Sequence, residues 1–288
     1  LVLGVNGQLG TDLVAEAARR NAIELHGLTR AELDVENVEA IEQVLEHYPA
    51  DAIVNCTSYH KTDEVEENGT KAVAINAHAV EAMAKAAKKQ QARFVHISTD
   101  YVFDGNKAES YTESDAPAPI NVYGATKSLG ETLARRAFDD TLILRVASLF
   151  GVAGASGKGG NFVETMLRLA KEHGQLKVVN DVRMSPTSTR TISYFLLELL
   201  QKQADAGVYN AVNSGDATWY EFAAEIIKQV GWDIPVNPVS SDEFPVKAPR
   251  PGYSALSNRK LSEAVGETPS HWKEALGEYL QEKEYTKQ

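Results

Sequence analysis

Short apolar runs alternate with longer stretches in which apolar residues recur at helical spacing through the first half of the chain. The runs LVLGV (1–5), IELHGL (23–28), DAIVNC (51–56), ARFVHI (92–97) and TLILRV (141–146) have the length and β-branched content of buried strands. The intervening patterns predict helices at 9–20, 37–47, 71–89 and 124–137. Strands that are apolar on both faces and separated by helices predict repeated βαβ units and a parallel sheet covered on both sides. The stretch 71–89 is rich in alanine, whose small side chain lets a helix lie close against a sheet. After Val146 the rhythm changes. GVAGASGKGG (151–160) reads as a mobile excursion from the sheet, followed by a helical pattern from Phe162 to Glu172. A helix at about 188–203 and a strand GVYNAV (207–212) return to the sheet, and 213–288 reads as mostly helix and proline-containing loop.

Composition narrows the function classes. The chain has 288 residues, 43% hydrophobic and 24% charged, which is ordinary for a globular protein with a large core. No run reaches the roughly 20 apolar residues of a membrane span, so no membrane partner is expected. A net charge of −11 repels phosphate backbones and argues against a nucleic-acid partner, while a local pocket for one small anion stays open. One cysteine, Cys56, excludes an intramolecular disulfide and fits a cytoplasmic protein. The seven histidines are scattered without zinc-ligand spacing, so no metal is expected. The chain begins as though already inside a strand, which suggests that residues precede Leu1.

LVLGVNGQLGTDLV sets Gly4, Gly7 and Gly10 in the spacing GxxGxxG where the first strand gives way to a helix. At that junction glycine lets backbone N–H groups and a helix N-terminus approach a pyrophosphate. The fold class that follows is α/β: a Rossmann-type doubly wound parallel sheet with a smaller, mostly helical C-terminal substrate-binding region. Residues 1–150 with about 188–212 form the dinucleotide-binding part, and about 151–187 with 213–288 the substrate part. An acid about 20 residues beyond the glycines would hold an adenosine ribose. Thr29-Arg30 stands there instead, and a cation can receive a 2′-phosphate, so the cofactor read from the sequence is NADPH. Asp34 and Val35 follow closely enough to border the adenine and leave NADH open.

YGATK places Tyr123 and Lys127 one helical turn apart, on one face. YLQEK repeats the spacing at Tyr279 and Lys283, where the context reads as a surface helix contact. What separates the two is HISTDYVFDG (96–105), which carries Thr99 to the carboxyl edge of the sheet, where open α/β folds bind ligands. Reduction of a carbonyl needs a hydride on carbon and a proton on oxygen. A tyrosine hydroxyl can give that proton if a neighbouring ammonium eases its ionisation, and Lys127 can also bond the nicotinamide ribose.

With the opening GxxGxxG, ISTDYVFDG, YGATKSLGE, GGNFVETML and PRPGYSAL in order, the chain resembles the dTDP-4-dehydrorhamnose reductase family of extended short-chain dehydrogenase/reductases. The resemblance implies reduction of a nucleotide-linked 4-keto sugar, dTDP-4-dehydro-L-rhamnose to dTDP-L-rhamnose, with Thr99, Tyr123 and Lys127 catalytic. It puts Gly7, Gln8 and Leu9 on the pyrophosphate, Asp34 and Val35 at the adenine, and Cys56, Thr57 and Ser58 on the cofactor. Asn76 would be structural or ribose-side. Asp100, Tyr101, Asn161 and Arg250 would contact the nucleotide sugar.

Two departures bear on the substrate. After Arg145 the family commonly has Thr-Ser-Trp, whereas this chain reads Val146, Ala147, Ser148, so an aromatic stacking surface is missing. In place of the lysine of a VDKAE stretch, Asp63 is followed by Glu64. A different nucleotide-sugar ketone is therefore an alternative substrate, with Tyr101 the candidate stacking residue. A protein of another class, the regulatory subunit of methionine adenosyltransferase, resembles the same family and acts by binding a partner. The complete Thr99, Tyr123, Lys127 set favours the enzyme. Assembly stays open, a homodimer included.

Overall fold

The apolar runs pair side by side because each must bury both of its faces. In the computed structural model, which describes residues 1–154 and 160–286, six parallel strands form one sheet. Their spatial order is Gly207–Asn210, Thr141–Val146, Arg93–Thr99, Ala52–Asn55, Val2–Leu3 and Gly27–Leu28. Alternation along the strands divides the core into two layers. Leu3, Leu28, Ile53, Phe94 and Ile143 face Val80, Met83, Ala84 and Ala87 of the helix Ala79–Gln90. Val2, Val54, Val95, Leu142 and Leu144 face Leu9 and Leu13 of the helix Gln8–Ala17 and Ile192 and Leu196 of Thr189–Gln201. The chain runs outward from the first strand to the second, then crosses back to the third. The order therefore reverses between Val2–Leu3 and Ala52–Asn55, and a crevice opens at the carboxyl ends of those two strands.

The expected elements are present, with Thr141–Val146 as expected, Arg93–Thr99 slightly longer, and the other strands shorter. The first ends at Leu3 because Gly4 turns with φ +80°, which leaves only Gly27 and Leu28 a pairing partner out of 23–28. The helix expected at 71–89 is Gly69–Val73, a wide turn of π type at Ala74–His78, and Ala79–Gln90. Asn76 lies in that wide turn and acts structurally. Its side chain accepts from Tyr59 N (2.9 Å) and donates to Tyr59 O (3.1 Å) and Thr126 Oγ1 (3.2 Å). Most of the excursion expected at 151–160 lies outside the described residues.

A separate cluster holds the C-terminal part: Phe150, Val163, Met166 and Leu167 pack with Phe222, Ile226, Trp272 and Leu276. It also corrects the reading of Tyr279, which is buried, with only 4% of its surface exposed. Its hydroxyl donates to Glu164 Oε1 and accepts from Asn161 Nδ2 at 3.1 Å. The one-turn pair with Lys283 gave no hint of this, because the burying partners come from the distant helix Phe162–His173. Tyr279→Phe strands Asn161 and Glu164 and is expected to cost about 1–3 kcal/mol in chemical denaturation. Turnover should be nearly unaltered, and a loss of turnover equal to that at Tyr123 would contradict this assignment.

Candidate active site

The crevice is built first by the glycine turn. Gly4 O accepts from Gly7 N at 3.0 Å, and a Cβ on Gly10 would stand 2.6 Å from both Gly4 O and Val5 O. Only glycine at position 10 lets the helix Gln8–Ala17 start this close to the strand end, with its N-terminal N–H groups at the crevice. Gln8 Oε1 is buried there without a hydrogen-bond partner. Such an atom in a cleft that meets a helix N-terminus fits a ligand rich in polar groups and negative charge. The cleft has a volume of about 490 Å³ and runs from Gly7, Gln8 and Leu9 past Cys56, Thr57 and Ser58 to Thr99 and Tyr123. Gly160, Asn161, Phe162 and Trp219 form its far wall. A groove of similar volume between Val38–Leu45 and Ala79–Gln90 is lined by Glu39, Glu42, Glu46 and Glu81, which would repel an anionic dinucleotide.

The strand Arg93–Thr99 delivers Thr99 and Asp100 to the cleft floor, and the helix Val122–Ala137, capped by Asn121 Oδ1 on Gly124 N at 2.8 Å, brings Tyr123 above them. The Tyr123 hydroxyl faces the hydroxyls of Ser58 and Thr99, which favour its ionised form. Directions follow from proton counting. Thr99 gives its one hydroxyl hydrogen to Asp100 Oδ1 (2.9 Å), and Ser58 gives its own to Asn76 Oδ1 (3.2 Å). With those hydrogens committed, the Tyr123 hydroxyl keeps its own hydrogen for a ligand oxygen in the cleft. Burial first, then the Asp100 carboxylate, pushes its pKa up to about 12, while Ser58 and Thr99 pull the other way. Asp100 itself is pushed up to about 6 by burial, and Ser254 and Thr99 hold it down as donors. The group is thus set to keep a proton on the phenol at neutral pH.

Lys127 sits in surroundings that its spacing did not suggest. With 1% of its surface exposed, its Nζ donates to Ile97 O and stands 3.1 Å from His96 Nε2. Burial lowers its pKa to about 7 against the opposing pull of Glu131 and Cys56. Its hydrogen-bond partners are His96 and Ile97, behind the cleft, and not the Tyr123 hydroxyl.

Other expected residues are distributed unevenly. Cys56 and Thr57 line the cleft, the thiol pushed up to about 12 by burial. Ser58 serves the phenol. Arg30, Asp34 and Val35 stand outside the cleft wall. Val35 is buried in the core, and exposed Arg30 pairs with Glu36 (2.7 Å) and Asp34 (3.6 Å). Lys71 reaches the same Glu36 oxygen at 2.8 Å. Asn161 touches the cleft but its side chain is committed: Oδ1 caps Glu164 N at 3.1 Å and Nδ2 donates to Gly151 O and Tyr279. Its expected bond to the sugar is replaced by this capping role. Arg250 lies outside the wall, bonded to Asp63 Oδ2 at 2.9 Å, with its guanidinium 5.9 Å from the Tyr101 ring. Asp63 also accepts from Lys247 N and Ala248 N, so it fastens this loop.

Sequence reasoning missed the cleft aromatics Phe162 and Trp219, and His96 and Asn55 buried behind Lys127. The rings of Phe162 and Trp219 lie 4.6 Å apart at 51° and are half-buried on the far wall. Ser148, opposite the expectation of an aromatic, lines the cleft with φ +43°, a conformation that costs energy for a residue with a Cβ.

Known proteins resemble this chain in both sequence and shape. The family model described as RmlD substrate binding domain matches residues 1–285. The spore coat polysaccharide biosynthesis protein SpsK of Bacillus subtilis is 38% identical over 283 residues, covering 98% of this chain and 97% of that protein. The crystal structure of a dTDP-4-dehydrorhamnose reductase from Clostridium acetobutylicum is similar with a TM-score of 0.92 at 35% identity, over 98% of each chain. That of the dTDP-4-dehydrorhamnose reductase from Bacillus anthracis, in complex with NADP, gives 0.90 at 34% identity, again over 98% of each.

Proposed function

This chain belongs to the RmlD substrate binding domain family, and on that premise we propose that it is an NADPH-dependent reductase acting on the 4-ketone of dTDP-4-dehydro-L-rhamnose to give dTDP-L-rhamnose. The observation that carries the reading is Tyr123, whose phenol keeps its proton at neutral pH, beside Thr99 and Asp100 in a cleft that begins at a glycine turn and a helix N-terminus. Bound NADPH supplies the hydride. Gly7, Gln8 and Leu9 hold the pyrophosphate end, with the unpartnered Gln8 Oε1 free to accept from a ribose hydroxyl. The ketone oxygen accepts the Tyr123 hydrogen. As negative charge develops on that oxygen, Tyr123 transfers its proton, and the Asp100–Thr99 pair keeps the geometry fixed. Residues 1–150 with 188–212 carry the cofactor part of this work, and 151–187 with 213–288 the substrate part. The protein acts in the cytoplasm.

The decisive experiment is loss of NADPH absorbance with the purified chain and a panel of nucleotide-linked 4-keto sugars. Turnover with dTDP-4-dehydro-L-rhamnose is expected. Turnover only with another keto sugar would move the substrate, and none with any member would remove the reductase reading. Ser148 favours including the panel, since the aromatic expected there is absent. In its stead the Phe162–Trp219 pair offers the cleft an aromatic wall. Trp219→Ala is expected to raise the Michaelis constant roughly tenfold with a smaller change in turnover, as lost ground-state binding does. An unchanged constant would leave Tyr101 as the stacking residue.

Cofactor preference should rest on a weak contact. Arg30 is exposed and already paired, so a 2′-phosphate must displace Glu36 to reach it. Arg30→Ala is expected to reduce the preference for NADPH over NADH by roughly tenfold or less, since a solvated ion pair is worth about 1 kcal/mol or less. Dissociation constants for both nucleotides measure it. Equal affinities before mutation would take Arg30 out of cofactor selection.

A further inference from the structure

Beneath Lys127 lies a hydrogen-bond chain whose directions follow from one fixed donor. The backbone N–H of Thr57 points at Asn55 Oδ1 at 2.9 Å, and the Thr57 hydroxyl donates to the same oxygen at 2.6 Å. A backbone N–H can only donate, so this contact settles which end of the Asn55 amide is oxygen. The NH2 end then faces His96 Nδ1 at 3.1 Å. Nδ1 must accept, and a neutral imidazole that accepts at Nδ1 carries its hydrogen on Nε2. Nε2 stands 3.1 Å from Lys127 Nζ. Two donors cannot share that contact, so Nζ must offer a lone pair, which an amine has and an ammonium lacks.

Each alternative sets donor against donor where water cannot intervene, because Asn55 and His96 are 0% exposed and Lys127 1%. An imidazolium would oppose both neighbours. The Nδ1–H tautomer would oppose the Asn55 NH2, and a reversed Asn55 amide would oppose the Thr57 N–H. The charged and titratable groups around Nζ do not overturn this. Glu131, one turn along the same helix, is held by Arg145 in two bonds of 3.0 and 2.7 Å, and by Ser98. Cys56, from the end of the third strand, keeps its proton, as burial dictates. Burial likewise lowers His96 well below its ordinary range, so the ring is neutral.

We infer that His96, oriented by Asn55, is a positioning residue that holds Lys127 as an uncharged amine, making it a proton acceptor in the site and not a fixed cation. The sequence of events this permits rests on the reductase reading: Lys127 gains its charge only in answer to negative charge introduced beside it, by the phosphates of a dinucleotide or by ionisation of Tyr123.

The test is 15N NMR of the chain without dinucleotide or substrate, at about pH 8, above the value of about 7 to which Lys127 is lowered. The expected result is a protonated Nε2 and a bare Nδ1 on His96, with Lys127 Nζ resonating as an amine. A protonated Nδ1, or an ammonium at Lys127, would overturn the inference. Asn55→Asp keeps the acceptor for Thr57 but turns the donor facing His96 into an acceptor. It should move the hydrogen to Nδ1, make Nε2 an acceptor, and raise the Lys127 titration by roughly one pH unit or more. The alkaline limb of the rate profile should move upward with it. An unshifted Lys127 titration in folded Asn55→Asp would also count against the inference. If that variant does not fold, the spectrum of the unaltered chain decides alone. Because the spectrum needs no turnover, a chain that reduces no keto sugar can still show the amine, and an active chain with an Nδ1–H ring would sink this inference while leaving the reductase standing.

Discussion

Tyr123→Phe should lower turnover roughly 100- to 10,000-fold, the range expected when a general acid is removed. The substitution takes away one hydroxyl and leaves the ring, which still packs edge-on to Tyr101 at 6.0 Å between centroids. Its partners survive the change: Thr99 keeps its bond to Asp100, and Ser58 keeps its bond to Asn76. The loss should therefore fall on proton transfer and not on the folded frame. With the phenol pushed up to about 12, the unaltered residue is protonated throughout the neutral range and available as an acid. NADPH affinity should change little, because the pyrophosphate end of the cleft is built by Gly4, Gly10 and the helix N-terminus. Turnover at saturating NADPH and keto sugar, with the NADPH dissociation constant measured separately, checks both halves. A variant that turns over like its parent would end the catalytic assignment of Tyr123.

The fold was legible because its strands are apolar on both faces, which only a sheet covered on both sides explains. The runs at 92–97 and 141–146 mark central strands, and each pairs over most of its length. Strand ends were less legible. Whether residues 23–26 pair depends on the first strand, which stops at Gly4, and a local pattern does not carry its partner's length. The wide turn at Ala74–His78 was hidden for a similar reason, since it is held by Asn76 reaching back to Tyr59 across 17 residues.

Within the site, sequence separated what the chain can do from what its neighbours make it do. The glycine turn, Thr99 and Tyr123 were readable, for their role follows from their own chemistry and their place at a strand end. Asn161 was read as a sugar contact, and the hydroxyl of Tyr279, 118 residues away, helps engage its side chain within the fold instead. Phe162 stood next to Asn161 in a quoted stretch, yet its value depends on meeting Trp219 from another helix. Lys127 shows the limit best. Its spacing from Tyr123 suggested an ammonium acting on a phenol, but its charge is set by burial, and by His96 on a neighbouring strand.

Lys127→Met should therefore show two effects that a simple cation on a helix would not combine. Turnover should fall roughly 100-fold or more, and NADPH should bind roughly tenfold more weakly, because one charge-assisted hydrogen bond to the ligand is worth about 1.5–3 kcal/mol at most. Stability should respond in the opposite sense at alkaline pH. In the unfolded chain the lysine keeps its proton to about pH 10.4, whereas in the folded chain it loses it near 7. Between those values the unfolded state binds the extra proton, so the unaltered chain gains stability as pH rises, by about 1.4 kcal/mol per unit. His96 contributes its own rise below about pH 6.5, where its depressed titration ends. Cys56, raised to about 12, opposes above about pH 8.5, because the unfolded thiol ionises first. The amino group of Leu1, lowered by burial, adds a rise of its own up to about pH 8 in both chains, so from about pH 7 to 8.5 the difference between them isolates Lys127. Denaturation across that interval should show the unaltered chain rising in stability more steeply than Lys127→Met. Parallel curves would mean that Lys127 carries its proton in the folded protein through this range, and that the buried amine is an ammonium after all.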